Sequence, residues 1–268
     1  MKDKTILITG STDGIGRQAA LELAALGATV LVHGRSENRG KNVVEEIRKA
    51  TGNQNVELFT ADFTSMEQVR RLADDVKRRF GALHVLVNNA GVFMNERRLT
   101  VDGFETTFAV NHLAPFLLTN LLLDLLRRSA PARVITVSSM VHTRGKLDFD
   151  NLQAEKGFGG YSSYALSKLA NILFTYELGE LLAGTGVTSN CLHPGVIGTK
   201  LLRAGFTTAG ASTVDGAETL LYLATSPEVE GVTGKYFQER QETPSSPATH
   251  DPVLRKRMWE ISAQLTGL

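Results

Sequence analysis

A chain of 268 residues that is 42% hydrophobic and 21% charged has the balance of an ordinary globular enzyme with a sizeable core, and extensive disorder is excluded. Lys and Arg number 29 against 28 Asp and Glu, leaving a formal net charge of +1 without a basic stripe, so nucleic acid is not an expected partner. Cys191 is the only cysteine, which excludes an internal disulfide and a thiolate metal cluster; with no apolar signal region after Met1 and no apolar run read as long enough to span a bilayer, a soluble cytoplasmic protein without a membrane anchor is expected.

Strand and helix patterns alternate along the chain without a linker-like break, so one α/β domain over residues 1–268 is expected. Thr5 to Ile8 form a short β-branched run that ends in Thr9-Gly10-Ser11-Thr12-Asp13-Gly14-Ile15-Gly16, and an amphipathic segment around Ala19, Leu23 and Leu26 follows. Strand, glycine loop and helix is the order of a phosphate cradle: Gly10 makes the tight turn, Gly14 lets the backbone approach a pyrophosphate, and Gly16 lets helix and strand pack closely. Ser11, Thr12, Asp13 and Ile15 are read with them as cofactor-binding positions.

Thr29 to His33 form the second strand, followed by Gly34, Arg35 and Ser36. An acid past this strand would grip a ribose 2′-hydroxyl, whereas an arginine accepts a 2′-phosphate. Arg35 therefore favours NADP(H), with NAD(H) as the lesser option. Asp13 argues mildly the other way, with Arg17 and Arg39 as candidates to offset it. Ser36 also suits the N-cap of a helix over Val43, Val44 and Ile47. The third strand is Val56 to Thr60, and Asp62 and Phe63 beyond it fall where an adenine would lie; capping the following helix is the other reading of Asp62. A helix from Ser65 to Phe80 then leads to the strand Leu83 to Val87 and to Asn88-Asn89-Ala90-Gly91.

Residues Thr100 to His112 read as helix with Asn111 near its end, and Ala114 to Arg128 is apolar on nearly every turn. The fifth strand, Arg133 to Val137, delivers Ser138 and Ser139. Tyr164 and Lys168 stand four apart in a helical run from about Ser162 to Leu182, which places a phenol and an ammonium on one face. A sixth strand, Val187 to Leu192, leads into His193-Pro194-Gly195-Val196-Ile197-Gly198-Thr199. Leu201 to Thr213 is small, glycine-containing and partly apolar, in keeping with a lid over an apolar substrate. A helix over Asp215 to Thr225, a last strand at Gly234 to Phe237, a loop at Thr243 to Pro247 and a helix from about Pro252 to Leu265 complete the chain.

Thr9-Gly10-x-x-x-Gly14-x-Gly16, Asn88-Asn89-Ala90-Gly91 and Tyr164-x-x-x-Lys168, in this order and spacing, resemble the short-chain dehydrogenase/reductase family over essentially the whole chain. The residues around Ser138 to His142, Leu147 to Leu152 and Ser167 to Asn171 resemble its retinol dehydrogenase-like branch. The resemblance implies a single Rossmann-type, doubly wound domain with a parallel sheet of about seven strands flanked by helices. It implies an NADP(H)-dependent hydride transfer to or from an apolar aldehyde, ketone or alcohol, with Tyr164 as acid or base, Lys168 lowering its pKa, Ser139 binding the substrate oxygen and Asn111 holding a relay water. Ser138 is the alternative to Ser139. Asn89, Ala90, Gly91, Pro194, Gly195, Ile197 and Thr199 are implied cofactor contacts, and the two long helices are implied to pair with a second copy in a homodimer or homotetramer. The stretch from Ser139 to Tyr164 is longer than the family's commonest arrangement, so residues 142–160 and 200–213 are expected to form the substrate loops, with His142 a loop residue.

Metalloprotease, esterase and ATPase signatures are absent, and the six histidines are too scattered for a metal site. An epimerase or dehydratase of the extended branch fits the length and glycine spacing poorly. The rival from another class is a non-catalytic NADP(H)-binding sensor, against which the intact Tyr164, Lys168, Ser139 and Asn111 argue.

Overall fold

The strand-like runs assemble into one sheet because the central ones, Thr5–Ile8, Thr29–Gly34, Val85–Asn88 and Ala132–Val137, are buried on both faces, as a parallel sheet covered by helices requires. The computed structural model describes residues 1–268. Along the chain lie β1 (Thr5–Ile8), α1 (Gly14–Ala25), β2 (Thr29–Gly34), α2 (Glu37–Thr51), β3 (Val56–Thr60), α3 (Met66–Arg79) and β4 (Val85–Asn88). They are followed by α4 (Thr106–Phe108), a π-turn (Ala109–Leu113), α5 (Ala114–Arg128), β5 (Ala132–Val137), α6 (Gly160–Leu181) and β6 (Val187–His193). The chain closes with α7 (Lys200–Gly205), α8 (Thr213–Thr225), β7 (Lys235–Gln238), β8 (Gln241–Glu242) and α9 (Pro252–Thr266).

The sheet order is β3-β2-β1-β4-β5-β6-β7-β8. The first seven strands are parallel, and the two-residue β8, which the sequence reading lacks, returns antiparallel on β7. One apolar core joins the sheet to α3, α5, α6 and α9, and a second joins it to α1, α2 and α8. After β1 the chain winds outward to β2 and β3, then returns to β4 on the other flank. The loops leaving β1 and β4 therefore part at the sheet's switch point, where open α/β sheets bind ligands.

Two expectations change. Thr100 to Glu105 is not helix: Gly103 turns the chain at φ +82°, its N–H donating to the Thr100 carbonyl, and the helix begins only at Thr106. Asn111 thus lies early in a continuous helix, in the π-turn that widens it before α5, rather than near a helix end. Second, Thr106–Arg128 is 23 residues long and apolar enough to cross a membrane, contrary to the reading that no run qualifies. Within the fold, 78% of its apolar window is buried, so core packing accounts for its composition.

Part of the apolar surface of α5 and α6 is covered within the same chain. Helix α9 lies across both, with Trp259 edge-on to Phe116 at 4.9 Å and stacked on Phe174 at 5.8 Å. Arg255 of α9 pairs with Glu177 at 3.5 Å and with Glu180.

Candidate active site

The glycine loop takes its shape from contacts that a side chain would destroy. Gly10 has φ +65°, and a Cβ there would fall 2.8 Å from the Ala90 Cα. At Gly16 a Cβ would fall 2.4 Å from Asn89 Nδ2 and 2.7 Å from the Gly10 carbonyl. Thr9 Oγ1 accepts the N–H groups of Asn89 and Ala90 at 2.9 and 3.0 Å, and Asn89 Nδ2 donates back to the Thr9 carbonyl at 2.7 Å. The loops after β1 and β4 are thereby stitched together. Ser11 is enclosed in the same frame, its hydroxyl donating to the Ile8 carbonyl at 2.7 Å and accepting His33 N–H at 2.9 Å.

His33, absent from the sequence-derived site, ties three loops together. Its Nδ1 accepts Gly10 N–H at 3.2 Å, its Nε2 lies 3.2 Å from the Ala61 carbonyl, and its ring stacks on Phe63 at 4.5 Å. Burial pushes its pKa down to about 4, so it is neutral at pH 7, with the proton on the Nε2 that faces a carbonyl.

A cleft of about 530 Å³ opens over this frame. Of the expected positions, Gly10, Thr12, Asp13, Gly14, Ile15, Arg35, Asp62, Phe63, Asn89, Ala90, Gly91, Pro194, Gly195, Ile197 and Thr199 line it, as do Ser139, Tyr164 and Lys168. Ser11, Gly16, Ser36 and Asn111 do not. Ser36 is the N-cap of α2, accepting Arg39 N–H at 3.4 Å. Asp62 does not cap α3, which Ser65 does; its carboxylate instead accepts the Thr64 N–H and hydroxyl at 3.0 and 2.9 Å.

Asp13 caps α1 and is offset differently from expectation. Arg39 is 3.9 Å away, but Arg17 pairs with Glu46 at 2.6 Å, and the main partner is Lys200 at the start of α7. The Lys200 hydrogen bond holds the Asp13 carboxyl below its usual value. Arg35 and Lys200 on the cleft wall, with Arg39 beside Asp13, give this end a cationic excess. The closely packed glycine loop, the α1 N-terminus and these cations fit the phosphates of a nicotinamide dinucleotide.

The two serines separate by geometry. Ser138 Oγ donates to the Lys168 carbonyl at 2.8 Å, and only 1% of the residue is exposed, whereas Ser139 faces Tyr164 across the cleft. Lys168 Nζ donates to the Val137 carbonyl at 2.9 Å and lies 5.5 Å from the centre of the Tyr164 ring. Burial lowers the Lys168 pKa to about 8, which leaves it mostly cationic at pH 7. Burial raises the Tyr164 pKa, and a hydrogen bond with Ser139 partly opposes this. That burial holds the phenol protonated, with the Lys168 ammonium over the ring and hydrogen-bonded to the Val137 carbonyl.

Asn111 sits behind the site. Its Oδ1 accepts Val92 N–H at 2.8 Å, and its Nδ2 donates to the Val92 carbonyl and to Ser167 Oγ, both at 3.0 Å. Ser167 in turn donates to the Tyr164 carbonyl at 2.7 Å. Gly91 keeps the nearby space open: a Cβ there would stand 3.4 Å from Asn111 Oδ1 and 3.7 Å from Lys168 Nζ.

The outer wall is apolar and comes from one of the two expected loops. Leu201, Leu202 and Phe206 join Val110, Met140 and Val141 in lining the cleft, and no residue of 142–160 does so. Leu152 is buried in the α3/α5/α6 core, with Leu147 and Phe149 packed against it, so the insert is drawn away from the cleft. Phe206 lies 6.3 Å from the Tyr164 ring and 5.6 Å from Phe93, which itself lies 5.5 Å from Tyr164. His193, also outside the expected set, lines the cleft beside Lys168; burial pushes its pKa down to about 4.

Residues 4–209 match the family model described as short chain dehydrogenase. The chain is 41% identical over 283 residues to human polyprenol dehydrogenase, covering 99% of this chain and 86% of that protein. It is 40% identical over 298 residues to human retinol dehydrogenase 14, covering 100% and 88%. A Shigella flexneri short chain dehydrogenase complexed with NADP superposes with a TM-score of 0.75 at 27% identity, covering 90% of this chain and 98% of that one.

Proposed function

The chain belongs to the short-chain dehydrogenase/reductase family, in its retinol dehydrogenase-like branch, and on that premise we propose an NADP(H)-dependent oxidoreductase acting on an apolar aldehyde, ketone or alcohol. The observation that carries the reading is that Tyr164, Lys168 and Ser139 line the same cleft as the glycine loop. When bound, the nicotinamide supplies or takes up the hydride.

In reduction, Tyr164 gives its phenolic proton to the substrate oxygen, and the buried phenol starts in the protonated form that this needs. Ser139 donates its hydroxyl proton to the same oxygen and fixes it, a fixed donor where negative charge develops. The Lys168 ammonium stabilises the phenolate left behind, and in oxidation it favours the deprotonated phenol that acts as base. Asn111 holds Val92 and Ser167 and so keeps the loop after β4 against α6; the relay role assigned to it by resemblance belongs to this proposal.

Arg35 and Lys200 support NADP(H) over NAD(H), and the neighbour solved with NADP agrees with that choice. The apolar wall supports an apolar substrate, and the relatives named for retinol and polyprenol point to the same class. A panel of short- and long-chain aldehydes and ketones, assayed with NADPH and with NADH, tests this. Oxidation of NADPH that rises with chain length and exceeds that of NADH is expected. Tight NADPH binding without turnover across the panel favours the sensor.

A further inference from the structure

Ser139 lies where β5 gives way to a 3₁₀ turn over Met140–Arg144, and the direction of its hydroxyl depends on how that turn is held. The Ser139 carbonyl accepts two bonds from one residue, His142 N–H at 3.1 Å and His142 Nδ1–H at 2.7 Å. On the far side of the ring, Nε2 accepts the Ser246 backbone N–H at 3.1 Å. A carbonyl only accepts and an amide only donates, so the partners dictate a neutral imidazole protonated on Nδ1. The ring meets Tyr236 edge-on at 5.0 Å, and His142 is 2% exposed.

The far anchor is itself braced. Ser245 Oγ is 2.8 Å from the Tyr176 hydroxyl of α6 and 2.7 Å from Thr249 Oγ1, and Thr249 donates to the Ser246 carbonyl at 2.6 Å. The C-terminal segment thus grips α6 through Ser245 and the Ser139 turn through Ser246 and His142. His142 does not line the cleft, so it has no contact with substrate.

We propose that His142 is a positioning residue for Ser139: its Nδ1–H clamps the Ser139 carbonyl while the Ser246 amide fixes the ring, and this aims the Ser139 hydroxyl at the substrate oxygen. The catalytic consequence rests on the role given to Ser139 above; the tautomer does not. In the ¹⁵N spectrum of the intact protein at pH 7, His142 should show a protonated Nδ1 and an unprotonated Nε2. An Nε2-protonated or mixed imidazole overturns the proposal whatever the turnover. His142→Asn places an amide N–H near the Nδ1 position, His142→Gln places its amide near Nε2, and His142→Ala provides neither. His142→Ala is expected to lower kcat about tenfold with KM for NADPH changed less than about twofold, His142→Asn to recover to within about threefold, and His142→Gln to remain with Ala. Ser246→Ala keeps the main-chain donor and should match the parent. Equal losses in Ala, Asn and Gln would assign the effect to packing and overturn the proposal. Should the parent bind NADPH yet turn over no carbonyl, the proposed function fails and the tautomer alone decides the role of His142.

Discussion

On the cofactor side of the cleft, Thr9, His33 and Asn89 commit their side chains to main-chain atoms of neighbouring loops, whereas on the substrate side residues 199–211 are held mainly by rings and an exposed ion pair. The base of that strap is stitched by Gly198 N–H to the Ala211 carbonyl at 2.9 Å and Ala211 N–H to the Val196 carbonyl at 2.8 Å. Beyond the base its ties include Asn95 Nδ2 to the Ala204 carbonyl at 3.1 Å, Lys200 to Asp13, and Phe206 against Phe93, Tyr161 and Tyr164. Buried hydrogen bonds that cannot be replaced by water cost about 1–3 kcal/mol each to break, while an exposed ion pair contributes roughly 0–1 kcal/mol. The difference teaches that one wall is specified by backbone geometry and is rigid, and the other by side-chain shape and is free to vary with substrate.

The largest effect should come from titrating the rigid wall. His33 is held near a pKa of about 4, below its ordinary value, so the folded chain binds fewer protons than the unfolded one between those values. Stability is then fully present above about pH 6.5 and falls as pH drops towards 4, by on the order of 3 kcal/mol for such an imidazole. His112 and His193, also pushed to about 4, act in the same direction. Urea unfolding at pH 7 and pH 4.5 measures this; a flat profile would break the picture of a closed frame. Next, Gly16→Ala drives a Cβ into Asn89 and the Gly10 carbonyl and should cost about 2 kcal/mol of folding stability together with NADPH affinity. Denaturant melts and a cofactor titration check it.

The substrate wall should respond more gently and more selectively. Phe206→Ala removes a ring from the apolar lining and should raise KM for an apolar carbonyl about tenfold, leaving KM for NADPH nearly unchanged. An equal rise in both would show that the strap serves the cofactor instead. Smallest of all, Lys200→Ala releases the strap from Asp13 and should speed NADPH dissociation about two- to threefold, an effect that fades with added salt. Stopped-flow release at two ionic strengths reads it directly.

The rigid wall was the legible one. Glycines at fixed spacing, a strand before them and a helix after them leave few alternatives, because Gly10 and Gly16 have no room for a side chain. Tyr164, Lys168 and Ser139 were legible for a similar reason, since i,i+4 spacing and a strand end fix where a side chain can point. His33 and Ser167 were not, because their roles consist of bonds to residues distant in sequence that no local pattern marks. The upward shift of the Tyr164 phenol escaped because i,i+4 spacing does not reveal how deeply the ring is buried. The 142–160 insert was assigned to the cleft from length alone, whereas Leu152 draws it into the core. Likewise, the apolar breadth of α5 and α6 does not reveal that Trp259 of α9, distant in sequence, packs on both.

The central claim is that Tyr164 moves the proton while the cradle holds the cofactor independently of it. Tyr164→Phe keeps the ring against Phe93 and removes only the hydroxyl. In a single-turnover measurement of hydride transfer from NADPH to a carbonyl that the parent reduces, paired with an NADPH titration, the variant should lose about 10³-fold in rate while its Kd for NADPH stays within about twofold. A rate within about tenfold of the parent would contradict the assignment of Tyr164 as the acid.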